Sequence, residues 1–186
     1  MSKYFFMLFI ILFNGFLYCE HYFEYNINKD KIFIYAESGN YKEIKKLLES
    51  GEDVNRLDNN KISPLMLASF NGHKDIVELL IKNNADVNIV NDYNYSAIMA
   101  AASRGHLDIF NMLLENGANI YQVNNDGNNI LIEACFAGNE EIIKKLIELK
   151  ININHKNNIG YTALKQSIIN GHNNIANILI KNGASI

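Results

Sequence analysis

Residues 63–88 read SPLMLASFNGHKDIVELLIKNNADVN. The stretch returns at intervals of 33 residues, as SAIMAAASRGHLDIFNMLLENGANIY at 96–121 and NILIEACFAGNEEIIKKLIELKININ at 129–154. The same period links Gly39, Gly72, Gly105, Gly138 and Gly171, and also Leu47, Leu80, Leu113, Leu146 and Leu179. A strict period of about 20 to 50 residues means stacked supersecondary units, each burying its apolar face on its neighbours.

Residue types fix the local structure inside a unit. Pro64 suits the first turn of a helix over 64–71, where its missing N–H costs nothing, and Leu65, Ala68 and Ser69 give that helix a narrow face of small residues. Gly72 ends it by taking a left-handed conformation. A second helix over 74–82 carries Ile76, Val77, Leu79, Leu80 and Ile81 on a wide apolar face. Small residues on one helix and large ones on the other predict a stack that curves. The polar remainder, NNADVNIVNDYNYS at 83–96, predicts a projecting, hairpin-like finger.

Ser63-Pro64-Leu65, the Gly-His pairs at 72–73, 105–106 and 171–172, Ala101-Ala102, and Gly-Ala at 117–118 and 183–184 together resemble the ankyrin repeat. That resemblance implies an all-α solenoid of helix-turn-helix units with projecting fingers, spanning 28–186 in five repeats at 28–57, 58–90, 91–123, 124–156 and 157–186. Two departures stand out. The histidine of the family's Thr-Pro-Leu-His element is replaced by Met66, Met99, Ile132 and Lys165, and the finger-turn glycine is Lys61 in the second unit and Asn94 in the third, against Gly127 and Gly160 later. Asn tolerates the left-handed conformation, whereas Lys61 is expected to strain its turn. In the last unit Lys165, Gln166 and Ser167 suggest a polar outer face suited to a terminal cap, and such caps favour a monomer.

The resemblance also implies function through a protein partner held on the concave side, formed by finger tips and the open side of the first helices. Position by position this surface comprises Ile62, Phe70, Tyr93, Tyr95, Arg104, Asp126, Phe136, Ile159, Tyr161 and Ile169. Several are of the types enriched at interface hot spots. The alternative is that the aromatic rings cover one another and serve the stack alone.

Residues that invite catalytic readings have structural ones beside them. His73, His106 and His172 occupy equivalent places, with Asn139 in the fourth, which predicts a repeated polar contact between adjacent loops rather than metal ligation. Cys135 takes a small-residue core position with no histidine in its own repeat to activate it. Glu133 corresponds to Leu67, Ala100 and Gln166 and reads either as a surface contact or as a solvated charge. No phosphate loop, triad or paired cysteine motif occurs, so neither an enzyme nor a cofactor or metal is expected. A net charge of -3 without a basic run argues against nucleic acid. The abundant Asn reads as compositional bias.

Residues 1–19, MSKYFFMLFIILFNGFLYC, hold one cation, Lys3, ahead of an apolar run from Tyr4 to Leu17. About fourteen apolar residues suit the central region of a secretory signal better than a bilayer span. Cleavage before Glu20 would export the chain to a periplasmic, envelope or extracellular location and leave 20–27 as a linker. Lipidation of Cys19, or an uncleaved leader, would instead make it a membrane-tethered spacer.

Overall fold

The computed structural model describes residues 30–185. Within them ten helices follow one another in five pairs: α1 (Lys31–Ser38) with α2 (Tyr41–Glu49), α3 (Pro64–Asn71) with α4 (Lys74–Lys82), α5 (Ala97–Arg104) with α6 (Leu107–Glu115), α7 (Ile130–Ala137) with α8 (Glu140–Glu148), and α9 (Ala163–Ile169) with α10 (Asn173–Lys181). Leader, Cys19 and linker lie outside the described residues. No helix among the described residues is long and apolar enough to cross a membrane.

The first helices of the second to fifth repeats start after a column of small polar residues, Ser63, Ser96, Asn129 and Thr162, of which three cap the helix with their side chains. Ser63 Oγ accepts from Met66 N at 3.2 Å, Asn129 Oδ1 from Ile132 N at 3.0 Å and Thr162 Oγ1 from Lys165 N at 3.2 Å. Such a cap satisfies one of the backbone donors a helix start leaves open. Ser96 makes no cap bond, and its buried Oγ has no partner. Neighbouring first helices pack on one another more extensively than neighbouring second helices do, which turns the stack toward the first-helix side.

The first helices are buried more completely than a narrow face implies. Every residue from Ile62 to Phe70 is buried, as is every residue from Tyr95 to Ser103 and from Asn128 to Cys135. An inner helix is enclosed by the first helices of both adjacent repeats and by its own second helix, so its apolar residues need not share one stripe. The second helices bury one stripe each: Ile76, Val77 and Leu80; Ile109, Phe110 and Leu113; Ile142, Ile143 and Leu146. Each such side chain contributes on the order of 1.5–3 kcal/mol. The polar outer face expected of the last repeat is only partly present, because Gln166 and Ser167 are buried and Lys165 alone is exposed.

The fingers are hairpin-like, with isolated antiparallel bridges between Val90 and Ser96 and between Val123 and Asn129. Their tips are tied in series: Asp92 N donates to Asn60 O, Asn125 N to Tyr93 O and Asn158 N to Asp126 O, at 2.9–3.1 Å. Asparagine side chains reinforce these ties, Asn125 Nδ2 donating to Asp92 O and Asn158 Nδ2 to Asn125 O. At the finger bases Asn55, Asn88 and Asn154 each accept from a backbone N–H of the next repeat. The asparagine content therefore does structural work, contrary to its reading as bias. Lys61 does take the strained turn position, with φ of 59° where Asn94 has 58° and Gly127 and Gly160 have 76° and 78°.

Candidate binding surface

Adjacent repeats are stitched by one recurring contact. His73 Nε2 lies 2.8 Å from Glu37 O, His106 Nε2 3.1 Å from Phe70 O and His172 Nε2 3.1 Å from Phe136 O. A carbonyl only accepts, so Nε2 carries the proton in each ring. Asn139 does the same work by donating Nδ2 to Gly105 O at 3.1 Å. The glycine of the preceding repeat is required twice over. Gly138 has φ of 68°, and a Cβ there would fall 2.6 Å from the His172 ring. Burial lowers the pKa of His106, with the Phe70 carbonyl opposing and the Arg104 charge adding to the effect. The three rings act as the predicted inter-repeat links.

A second recurring element sits where the finger enters the first helix. Counting from the cap, the residue before it and the fourth helical residue form the pairs Ile62 and Leu67, Tyr95 and Ala100, Asn128 and Glu133, Tyr161 and Gln166. An apolar residue before the cap packing on the fourth helical residue is a hydrophobic staple, which fixes the angle of chain entry. This column accounts for two corrections to the expected partner surface. Ile62 and Tyr95 are fully buried. Tyr95 Oη lies 2.7 Å from Ser103 Oγ and 3.1 Å from Glu133 Oε2, inside the stack rather than on its face. Phe70 is a third correction: it is 8% exposed, with the Arg104 guanidinium 4.6 Å over its ring.

The remaining expected residues reach the surface in two rows. Tyr93, Asp126 and Ile159 form the finger-tip row, Tyr93 being 36% and Ile159 69% exposed, with Asp126 half-buried. Arg104, Phe136 and Ile169, all half-buried, stand at the ends of the first helices. Between the rows half-buried Tyr161 carries the Lys165 ammonium 4.2 Å over its ring.

Behind these rows lies a polar cluster that sequence reasoning left undecided. Glu133 is 2% exposed, neither a surface contact nor a solvated charge. Its Oε1 accepts from Asn124 Nδ2 and Asn128 Nδ2, both at 2.8 Å. Asn157 Nδ2 in turn donates to Asn128 Oδ1 at 2.8 Å. Burial raises the Glu133 pKa from 4.5 to about 7, the three hydrogen bonds opposing and the Asp126 charge adding. The third repeat shows what is missing without this carboxyl: Ala100 stands in its place, and the buried Asn91 Nδ2 has no acceptor. A legible signal existed, since a carboxyl at the fourth helical position with amides at the cap-preceding position and four residues before it is a polar substitute for the staple.

Cys135 is fully buried, and burial, then the Glu133 charge, push its thiol pKa well up, so it supplies no thiolate. Among the described residues no group of three or more His, Cys, Asp or Glu could hold a metal ion. No curated protein matches the chain. A family model described as ankyrin repeats (3 copies) matches residues 32–124 and again 117–186. Repeats of this kind mediate contacts between proteins. With both matches lying across the five helix pairs and their Gly-His stitches, the chain belongs to the ankyrin-repeat family.

Proposed function

We propose that the protein is exported and binds another protein through its concave side, using Tyr93, Asp126 and Ile159 at the finger tips, Tyr161 at a finger base, and Arg104, Phe136 and Ile169 at the ends of the first helices. The apolar run from Tyr4 to Leu17 supports export. The observation that carries the binding surface is the placement of partly exposed aromatic, aliphatic and cationic side chains at the finger tips and at the ends of the first helices, on a frame whose fingers are tied tip to tip. A pre-organised surface loses little conformational entropy on association.

A photoreactive residue at Phe136, with a control at Glu78 on the exposed side of a second helix, tests this in the native cells. Capture of one partner from Phe136 alone, and its loss by about 1–3 kcal/mol of binding in Phe136→Ala with an unchanged unfolding midpoint, is the expected result. Equal capture from both positions, or from neither, overturns the concave-face reading. The mass of the native N-terminus checks export: a chain beginning at Glu20 excludes both a lipid on Cys19 and a retained leader.

A further inference from the structure

The Glu133 cluster spans three repeats. Tyr95 stands at the base of the third finger, Asn124 and Asn128 belong to the fourth, and Asn157 reaches across from the fifth. Asn124 also shapes its own finger, its Oδ1 accepting from Asp126 N at 3.0 Å and Asn128 N at 2.9 Å. The carboxyl therefore bonds to the same side chain that sets the turn presenting Asp126. We propose that Glu133 is a positioning residue for the concave surface, a proton-controlled latch that holds the third, fourth and fifth fingers in register while its carboxyl is neutral and loosens them when it ionises. The inference rests on the concave-face reading for its consequence, though not for its geometry.

The hydrogen-bond geometry accommodates the neutral acid, and it is enclosure that disfavours the anion. Oε1 takes two amide donors, as a carbonyl oxygen with two lone pairs can. Oε2 faces Tyr95 Oη at 3.1 Å, while Oη lies 2.7 Å from Ser103 Oγ and Ser103 Oγ 3.1 Å from Ala100 O. A proton on Oε2 is donated to Tyr95 Oη, the tyrosine proton passes to Ser103 Oγ, and the serine proton to Ala100 O. Every hydroxyl in the chain then donates once. Removing the Oε2 proton turns the tyrosine hydroxyl back toward the carboxylate and leaves an anion in a site closed to water.

The surrounding charges do not offset that anion. Asp126, from the same finger, adds like charge. On the first helix before it, the Arg104 guanidinium lies over Phe70; on the one after, the Lys165 ammonium lies over Tyr161. On α8, behind it, Lys144 pairs with Glu140 and Lys145 donates to Asn111. The remaining titratable neighbours are the Tyr95 hydroxyl and the Cys135 thiol, whose pKa burial pushes up. Opening the fingers to water is the route by which an ionised Glu133 is solvated.

Carbon-13 NMR of the full chain labelled at glutamate carboxyls, with the Glu133 signal assigned by its absence in Glu133→Gln, reads the latch directly. The expected result is a Glu133 titration near neutrality, with the amide shifts of Asn124, Asn128 and Asn157 moving at the same midpoint. Amide exchange in the three fingers, corrected for intrinsic rates, should show opening that increases about tenfold per pH unit between about 5 and 7 and then levels off. Glu133→Gln keeps the shape and donates from Nε2 to Tyr95 Oη, so its fingers should show no such dependence. A Glu133 midpoint below 5, or a neutral midpoint that leaves the finger amides unmoved, overturns the proposal. Should the Gln variant fail to fold, the wild-type carboxyl and amide titrations still decide it. None of these readouts needs a partner, so failure of the latch and failure of the concave-face reading are separable.

Discussion

In the second repeat the chain enters its first helix over Ile62 and Leu67, both buried in the hydrophobic core; in the fourth the same two places hold Asn128 and Glu133, which are buried as well. The backbone hardly registers the exchange: α3 and α7 each run for eight residues, each follows a side-chain cap, and each ends on a left-handed glycine. The frame is thus carried by positions the two repeats share, namely cap, glycine and the second-helix aliphatics. The pair at the finger base is free to be apolar and indifferent to pH, or polar and titratable. What the polar version requires is a full set of donors, and only the fourth repeat supplies Asn both at the cap-preceding place and four residues before it.

The sharpest way to break that comparison is Leu67→Glu. In the second repeat the place four residues before Ile62 holds Asp58, whose side chain has no N–H to donate and accepts from Asn60 N and Ile62 N instead. A carboxyl at 67 would be buried beside a carboxylate and an isoleucine. The expected loss is on the order of 4 kcal/mol or more at neutral pH, measured by urea unfolding, which is a large part of the stability of an ordinary domain. Adding Asp58→Asn and Ile62→Asn to the same chain should recover part of it by restoring the two amide donors. A Leu67→Glu protein with an unaltered midpoint would show that the staple position is not sealed from water.

Glu133→Gln probes the other side of the comparison. The folded carboxyl keeps its proton up to about pH 7, while its unfolded counterpart loses one near 4.5. Between those values the native state binds more protons, so this group's contribution falls as pH rises and is constant outside the window. The Gln variant should therefore match the wild type at pH 4 and exceed it by on the order of 3 kcal/mol at pH 8. Unfolding curves at both pH values check this, and equal stabilities at pH 8 would mean that the carboxyl is solvated or neutralised by a cation.

Much of this could be read from the sequence because it repeats. The 33-residue columns of glycine and leucine reveal the repeat, Pro64, Gly72 and the apolar spacing from Ile76 to Ile81 mark both helices of the second repeat, and the histidine column points to the inter-repeat stitch. Burial at the finger base does not follow from the family pattern, which places Tyr93 and Tyr95 together on one concave surface. Placing each in its own column separates them: Tyr95 shares its column with Ile62 and precedes a cap, whereas Tyr93 shares one with Asp126 and Ile159. The protonation state of Glu133 could not be read that way. It depends on a tyrosine from the preceding repeat, 38 residues away in the chain, and on enclosure that only the assembled stack creates.

The smallest expected effect concerns the turn of the second finger, again set against the fourth. Lys61 N closes the turn on Asp58 O at 3.0 Å, as Gly127 N closes its own on Asn124 O at 2.9 Å, and both do so at positive φ. Glycine adopts that conformation without a Cβ clash, while an L-residue incurs about 1–2 kcal/mol. Against the gain from Lys61→Gly stand the greater freedom of glycine in the unfolded chain and the loss of the exposed Lys61–Asp92 ion pair, 2.8 Å long and between adjacent fingers. The net expectation is a stabilisation of about 0.5 kcal/mol, with Lys61→Asn between the two because Asn tolerates the left-handed region, as Asn94 does one repeat on. Urea midpoints of the three proteins should rise in the order Lys, Asn, Gly. A reversed order would mean that the tie to Asp92 outweighs the backbone strain, and that the early fingers are held by charge where the later ones are held by asparagine.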